Sequence, residues 1–198
     1  MMKFLYINIF AILTILSGCC FPGKKEVGQI NLSKQAKEFF PYKGNENLVF
    51  KTKKGKELKY SVKKIETGTI KVPATMKESC EYSTVEFMEI IFQTMPQSKD
   101  LQVYLSGENG EYLFIEYGTR FYFPTPLDSA CNKQDSIFIC NDTLTINYQK
   151  YTDIFRIKDY ETFQKEPGEI KYMYYSKKLG VCRFSTYSGD DYFLEISN

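Results

Sequence analysis

The sequence predicts a mainly β fold, in which a single antiparallel meander forms a sandwich or an open half-barrel after an N-terminal signal segment and a tether. Three observations predict it. Apolar and polar residues alternate in short runs from Phe39 onward, turn-forming residues separate the runs, and the 198 residues include 16 Tyr and 16 Phe, residue types enriched in strands. Because no long helical pattern lies between the runs, we expect about ten to twelve strands joined mostly by hairpins in one domain.

Residues 1–18 have the layout of an export signal. Lys3 precedes the apolar stretch 4–16, and the small residues Ser17 and Gly18 follow it. A helix needs roughly 20 apolar residues to span a bilayer, so this shorter stretch predicts a signal peptide rather than a permanent transmembrane anchor.

The residues at the expected cleavage point, Leu16, Ser17, Gly18 and Cys19, have the order and spacing of a lipobox, and through them the chain resembles bacterial lipoproteins. The resemblance implies that Cys19 is the first mature residue and carries the lipid that attaches the protein to a membrane. Two or more acyl chains anchor a protein stably, whereas one holds it marginally. The expected location is the outer membrane of a bacterial cell envelope, facing the periplasm or the surface. The alternative is an ordinary signal peptide cleaved nearby, with Cys19 and Cys20 as thiols.

Residues 19–38 are polar, have no sustained period and predict a lipidated tether. Ser33 could cap a short helix over 33–38, and Pro41 would help to end it. The β domain is then expected over 39–198.

The β domain begins with a predicted hairpin. A strand over 47–51 leads through the turn 52–55 into a strand over 56–63, where Leu58, Tyr60 and Val62 share one face. The next run, 81–94, fits either a helix or a long strand, and its β-branched and aromatic content favours the strand.

The remaining runs follow the same alternation. Val103 and Leu105 precede the turn 106–110, after which residues 112–117 place alternate side chains on the two sides of a strand. A strand over 137–140 is predicted to turn at Asn141-Asp142 into a second strand. The C-terminal runs 171–175, 181–186 and 192–196 predict a three-stranded meander.

Two further motifs, 39-FFPYKG-44 with 48-LVF-50 and 174-YYSKKLGVCRF-184, resemble the opening and closing strands of small β-rich envelope lipoproteins of uncharacterised function. The resemblance implies a β-rich envelope protein and no particular activity.

Export places the cysteines in an oxidising compartment, where disulfides form. After lipidation of Cys19 five cysteines remain, so at least one stays unpaired. We expect a disulfide between Cys131 and Cys140, which are close in sequence. Cys182 is interpreted as a small buried core residue, with a cross-strand bond to Cys80 as the alternative. The cysteine spacing does not predict a metal site, and no cofactor is expected.

The absence of His excludes a Ser-His-Asp triad, a Cys-His dyad and the commonest zinc sites, and no catalytic motif replaces them. Catalysis by carboxylates alone remains a third hypothesis, a glycan hydrolase that would use Glu86 with Glu89 or Asp190 with Asp191. Glu86 and Glu89 are expected on opposite sides of a strand, and the two aspartates in an exposed turn. We therefore expect no enzymatic activity.

A cluster of lysines is the largest local charge feature of a chain whose formal net charge is +2. It could meet anionic lipid or an acidic polysaccharide, but a solvated hairpin is the favoured interpretation, and nucleic-acid binding is not expected. The cluster consists of Lys51, Lys53, Lys54, Lys56, Lys59, Lys63 and Lys64.

The leading functional hypothesis is a lipid-anchored envelope protein that acts as a non-catalytic binding or structural module. Its partners would be the membrane, through acylated Cys19, and an envelope protein, a glycan or an apolar ligand. The alternative is a carrier of a hydrophobic ligand, since the apolar face of a curled sheet could line a cavity. A filled interior would count against that alternative.

Overall fold

The computed structural model describes residues 24–74, 80–94, 99–108, 110–124, 138–146, 148–159 and 166–196. The mainly β class is confirmed. The described residues form a short helix, α1 (Lys34–Lys37), and the strands β1 (Lys25–Ile30), β2 (Asn47–Lys51), β3 (Glu57–Pro73), β4 (Glu81–Thr94), β5 (Leu101–Ser106), β6 (Tyr112–Tyr117), β7 (Thr119–Pro124), β8 (Phe138–Ile146), β9 (Gln149–Lys158), β10 (Ile170–Ser176), β11 (Gly180–Thr186) and β12 (Asp191–Glu195).

The chain divides into two compact units, and β3 and β4 contribute residues to both. The smaller unit holds the described residues of 1–30 and 69–85. In it β1 pairs in parallel with the start of β4, from Lys25 opposite Glu81 to Ile30 opposite Val85. This strand lies within the segment predicted as a tether, whose polar sequence gave no sign of it.

The larger unit holds the described residues of 31–68 and 86–198, and its antiparallel sheet curls into a half-barrel. The strand order is β7-β6-β5-β4-β3-β2-β12-β11-β10-β9-β8. The first and last strands of the predicted meander, β2 and β12, pair in the middle, where Leu194 lies opposite Phe50. β7 and β8, which are consecutive along the chain, lie at the two ends of this order.

Aromatic side chains fill the concave side of the half-barrel in its described part. The rings of Phe50 and Phe184 lie 5.1 Å apart between centroids. The ring of Phe123 on β7 packs against the ring of Tyr175 on β10, with 5.8 Å between the centroids. The two halves of the curled sheet on either side of its middle strands, which we call its wings, are therefore in contact. The buried alternation faces of the strands therefore pack against each other.

The segment that precedes β2 also packs into this core. Ser33 caps α1, because its hydroxyl accepts a 3.0 Å hydrogen bond from the Ala36 N–H, as the sequence suggested. Ala36 and Phe39 are buried, and the Tyr175 hydroxyl donates to the Phe39 carbonyl. The predicted tether thus contains core residues before position 38.

Most predicted strands are confirmed. The 47–51 and 56–63 hairpin, the long strand over 81–94 and the C-terminal meander all form. The predicted turn at Asn141-Asp142 is wrong. β8 runs through both residues with register shifts on each side of Asp142, and its hairpin turn lies at Tyr148, which has a φ of 65°. A β-bulge accommodates turn-type residues without reversing the strand.

The β8–β9 hairpin covers the opposite face of β10 and β11. A second apolar cluster forms there, and Cys182 is fully buried in it, which confirms its interpretation as a core residue. The cluster contains Leu144, Ile146, Tyr151, Ile154, Tyr174 and Cys182.

Candidate functional site: an outer aromatic surface

The outer face of β5, β6 and β7 carries aromatic side chains where a one-sided antiparallel sheet usually carries polar ones. Leu105, Leu113 and Phe123 of these strands point into the core, with at most 1% of their surface exposed. The residues that alternate with them face outward, and we call four of these the outer aromatic surface: Tyr104, Tyr112, Phe114 and Tyr122.

Strand register aligns three of the four rings in one row. Tyr104 lies opposite Phe114, and Phe114 lies opposite Tyr122. The ring centroids are 6.5 Å apart between Tyr104 and Phe114 and 5.2 Å apart between Phe114 and Tyr122. Tyr112 stands beside the row, 6.3 Å from Tyr122. The row crosses the strands, so its spacing depends on the separation of neighbouring strands.

A second row, two residues along each strand, is polar. Gln102, Glu116 and Arg120 occupy matching register positions on β5, β6 and β7. Arg120 Nε lies 3.3 Å from a Glu116 carboxylate oxygen, and the guanidinium carbon lies 5.6 Å from the Phe114 ring centroid. The two rows line a shallow open depression of about 350 Å³.

The surface is only partly shielded from water. Tyr122 is 53% exposed, whereas the other three rings are half-buried. Burial raises the pKa of the Tyr104 and Tyr112 hydroxyls, so both stay protonated at neutral pH and can donate hydrogen bonds.

Phe87 of β4 supports one end of the row. Its ring stacks on Tyr104 at 5.6 Å, and its other neighbour is Gly68 of β3, where an added Cβ would lie 3.4 Å from the Phe87 ring. The absence of a side chain at Gly68 lets this ring lie flat against the sheet. The stack holds Tyr104 from the β4 side.

The candidate catalytic carboxylates do not meet. Glu86 accepts a 2.9 Å hydrogen bond from the Leu32 N–H and pairs with Lys37 at 2.7 Å. Glu89 instead binds the Gln102 amide at 2.5 Å and Lys64. The two are engaged by different side chains, in keeping with their predicted placement on opposite sides of a strand.

The predicted exposed turn for Asp190 and Asp191 is wrong in part: Asp190 immediately precedes β12, Asp191 is its first residue, and both are half-buried. Each has a basic partner. Asp190 is 3.4 Å from Lys56, and Asp191 is 3.0 Å from Arg183. Burial acts to raise the pKa of Asp191, but hydrogen bonds from Ser185 and Arg183 outweigh it, and the pKa is lowered. A carboxyl group with a lowered pKa is a poor general acid.

The lysine cluster is largely neutralised by carboxylates of the same chain. Lys51 lies between Glu57 and Glu195, at 3.0 and 2.8 Å, and Lys63 lies 2.7 Å from Asp100. Lys56, Lys59 and Lys64 also form ion pairs. This arrangement fits a solvated hairpin rather than a patch for an anionic partner.

The predicted cysteine roles fall partly outside the described residues, because Cys19, Cys20 and Cys131 lie there. Cys140 is disulfide-bonded, and so is Cys80, while the Cys131–Cys140 pairing stays a prediction. The alternative bond between Cys80 and Cys182 is wrong, since Cys182 is free. Within the described ranges, no three His, Cys, Asp or Glu residues are placed to hold a metal ion, and no helix is long and apolar enough to cross a membrane.

A second depression, of about 560 Å³, lies near the β8–β9 turn. Lys51, Phe193 and the fully exposed Tyr148 contribute to its lining. Two aromatic side chains, Tyr148 and Phe193, line this depression, against the four of the outer aromatic surface.

Sequence reasoning did not identify the outer aromatic surface. The signal that could have found it is the 112–117 strand, where Tyr112 and Phe114 alternate with Leu113 and Ile115, so that neither face is polar throughout. In an antiparallel sheet with one wet side, a second aromatic face indicates either covering structure or a ligand.

No protein-family model, no curated protein and no solved structure matches the chain.

Proposed function

We propose that the chain is a lipid-anchored, non-catalytic binding module of the bacterial cell envelope, and that it binds its partner through the outer aromatic surface. The lipobox-like sequence ending at Cys19 supports the anchor. The row of aromatic rings on the solvent side of β5, β6 and β7 carries the binding assignment.

The outward rings are the main support because burial in the core does not account for them. The inward side chains of the same strands already fill the concave side, with Leu113 and Ile115 fully buried. Tyr122, which is 53% exposed, continues into three half-buried rings, and a contiguous exposed aromatic patch of this kind marks an interaction site, whereas a single exposed ring such as Tyr148 does not.

The packed interior favours surface binding over the carrier alternative. In the described part of the half-barrel, the wings touch through Phe123 and Tyr175, and residues 32–42 occupy space that a ligand would need. Glu86 and Glu89 are engaged by different partners and do not form a pair of catalytic carboxylates, which likewise favours binding over glycan hydrolysis.

Photo-crosslinking in intact cells tests the binding assignment without knowledge of the ligand. A photoreactive phenylalanine analogue replaces Tyr122 in the full-length chain, and the matched control carries it at Tyr148, which is also exposed but lies at the β8–β9 turn. We expect an envelope macromolecule to crosslink at position 122 and not at 148. No adduct at 122, or equal adducts at both positions, would contradict the assignment.

Fractionation tests the anchor separately. Cys19→Ser in the full-length chain should abolish acyl labelling and release the protein from the membrane fraction, while Cys20→Ser should change neither. A wild-type chain without acyl label or membrane retention would overturn this half of the proposal.

A further inference from the structure

We infer that the ligand of the outer aromatic surface is an uncharged polysaccharide, whose chain runs along the row of rings and so crosses β5, β6 and β7. This inference rests on the proposed function, because it identifies the ligand class for the surface to which binding was assigned.

The aromatic row suits the apolar faces of sugar rings. A pyranose presents C–H groups on its faces and hydroxyls around its edge, so it can lie flat on an aromatic ring and displace water from both. Tyr104, Phe114 and Tyr122 offer three such rings at intervals of 6.5 and 5.2 Å, and their planes turn by 87° and 46° from one ring to the next. The intervals are comparable to the length of one sugar unit, so a chain that crosses the strands and twists along its length would meet successive rings at different angles.

The polar row suits the sugar hydroxyls. This row runs parallel to the aromatic row, two residues along each strand, and lines the same depression. It consists of Gln102, Glu116 and Arg120. Gln102 donates one hydrogen bond to Glu89, and Arg120 Nε pairs with Glu116. The remaining N–H groups of Gln102 and Arg120 and the remaining lone pairs of Gln102 and Glu116 can donate to and accept from sugar hydroxyls. Tyr104 and Tyr112, which line the same depression, add hydroxyl groups that can donate and accept hydrogen bonds.

The charges of the surface favour a neutral ligand. Arg120 is paired with Glu116 at 3.3 Å, and Glu89, which binds Gln102, is paired with Lys64 at 3.3 Å. A polyanion would gain little attraction from charges that are already balanced, and its own charges would lose water.

The shape favours internal segments of a polymer over chain ends. The depression is shallow and open, so it can contact a chain that continues in both directions but cannot enclose a terminal sugar. A protein partner is less well suited, since stable protein interfaces bury about 1,000 Å² or more, whereas the four rings and the polar row line one small depression.

Affinity electrophoresis tests the inference with the full-length lipidated protein in a detergent that contains no sugar headgroup. The gels contain soluble cellulose derivative, xylan, glucomannan, dextran or starch, with polygalacturonate as the anionic comparison. We expect at least one neutral polymer to retard the protein and polygalacturonate to have no effect.

Variants then locate the site. Tyr122→Ala should weaken binding about three- to tenfold, the range for losing one ring from a stacked contact, whereas Tyr122→Phe should keep most of the affinity. Tyr148→Ala, the matched control, should not change it. Near-ultraviolet circular dichroism confirms that each variant is folded.

Three outcomes would overturn the inference: no retardation by any neutral polymer, retardation by polygalacturonate alone, or equal losses from Tyr122→Ala and Tyr148→Ala. If polymers fail while position 122 crosslinks a protein in cells, the glycan inference falls and the proposed binding function stands. If no neutral polymer retards the protein and position 122 gives no adduct in cells, both the glycan inference and the proposed binding function are wrong.

Discussion

The Tyr42 hydroxyl accepts a 2.8 Å hydrogen bond from the backbone N–H of Val181, which ties the segment before β2 to the start of β11. Both groups are buried, and burial raises the pKa of Tyr42 well above its ordinary value. Tyr42→Phe leaves the Val181 N–H without an acceptor, so we expect a loss of about 1 to 3 kcal/mol in the free energy of unfolding. Urea denaturation measures it, with Tyr148→Phe as a neutral control, and equal stabilities would contradict the assigned bond.

Gly180 precedes Val181 and has no room for a side chain. An added Cβ would lie 2.1 Å from the Tyr42 hydroxyl oxygen, and φ is +72°. Gly189 has a similar φ of +85° but no atom within 4 Å of an added Cβ. Gly189→Ala should cost about 1 to 2 kcal/mol through backbone strain alone. Gly180→Ala should lower the free energy of unfolding clearly more in the same denaturation assay. Equal losses from the two substitutions would show that the Tyr42 side chain can move aside without cost.

These contacts illustrate which parts of the fold the sequence could predict. Local alternation identified the strand of Leu58 and Tyr60 and the C-terminal meander, because apolar residues at every second position indicate directly which face of a strand is buried. It could not identify the pairing of β2 with β12 or the Tyr42–Val181 bond, because each joins residues more than a hundred positions apart. Such pairings depend on how the whole sheet curls.

The candidate site was hidden for a related reason. Tyr104, Phe114 and Tyr122 are each ordinary strand residues, and they form a row only because three strands share one register. The lipid attachment at Cys19 is the opposite case, since its motif is contiguous and needs no fold to be recognised. Asn141-Asp142 was misassigned because turn-forming residues also suit a bulge.

Cys182 should be unreactive in the native protein. Its thiol is buried, it lies 3.4 Å from the Tyr174 carbonyl oxygen, and burial raises its pKa well above the ordinary value. Because the thiolate is the reactive form, we expect an alkylating reagent at about pH 8 to leave Cys182 unmodified until denaturant is added. Peptide mass spectrometry measures the modification, and rapid labelling without denaturant would contradict the buried placement.

The lysine cluster should bind anionic vesicles weakly while its carboxylate partners are present. A lysine near an anionic membrane contributes about 1 kcal/mol when its charge is free. Lys51 is balanced by Glu57 and Glu195, so Glu57→Gln with Glu195→Gln should expose its charge and raise vesicle affinity about fivefold at low salt. Cosedimentation of the non-lipidated Cys19→Ser chain measures this. Strong, salt-sensitive vesicle binding by the chain without these substitutions would contradict this expectation and would show that the lysine cluster binds anionic membranes.

Glu86 should make stability depend on pH in the acid range. The Lys37 ammonium lowers its pKa below the ordinary 4.5, and the Leu32 N–H adds to this effect against the opposing influence of burial. A carboxyl group with a lowered folded-state pKa contributes stability above its unfolded pKa and loses it as the pH falls through the folded value. Glu86→Gln should therefore be less stable than wild type by about 1 kcal/mol at about pH 7, and the difference should shrink below pH 4.5. Denaturant titrations across this range measure it, and Lys37→Met should reduce the same pH dependence. A difference that stays constant from about pH 7 to about pH 3 would mean that the Glu86 charge does not contribute.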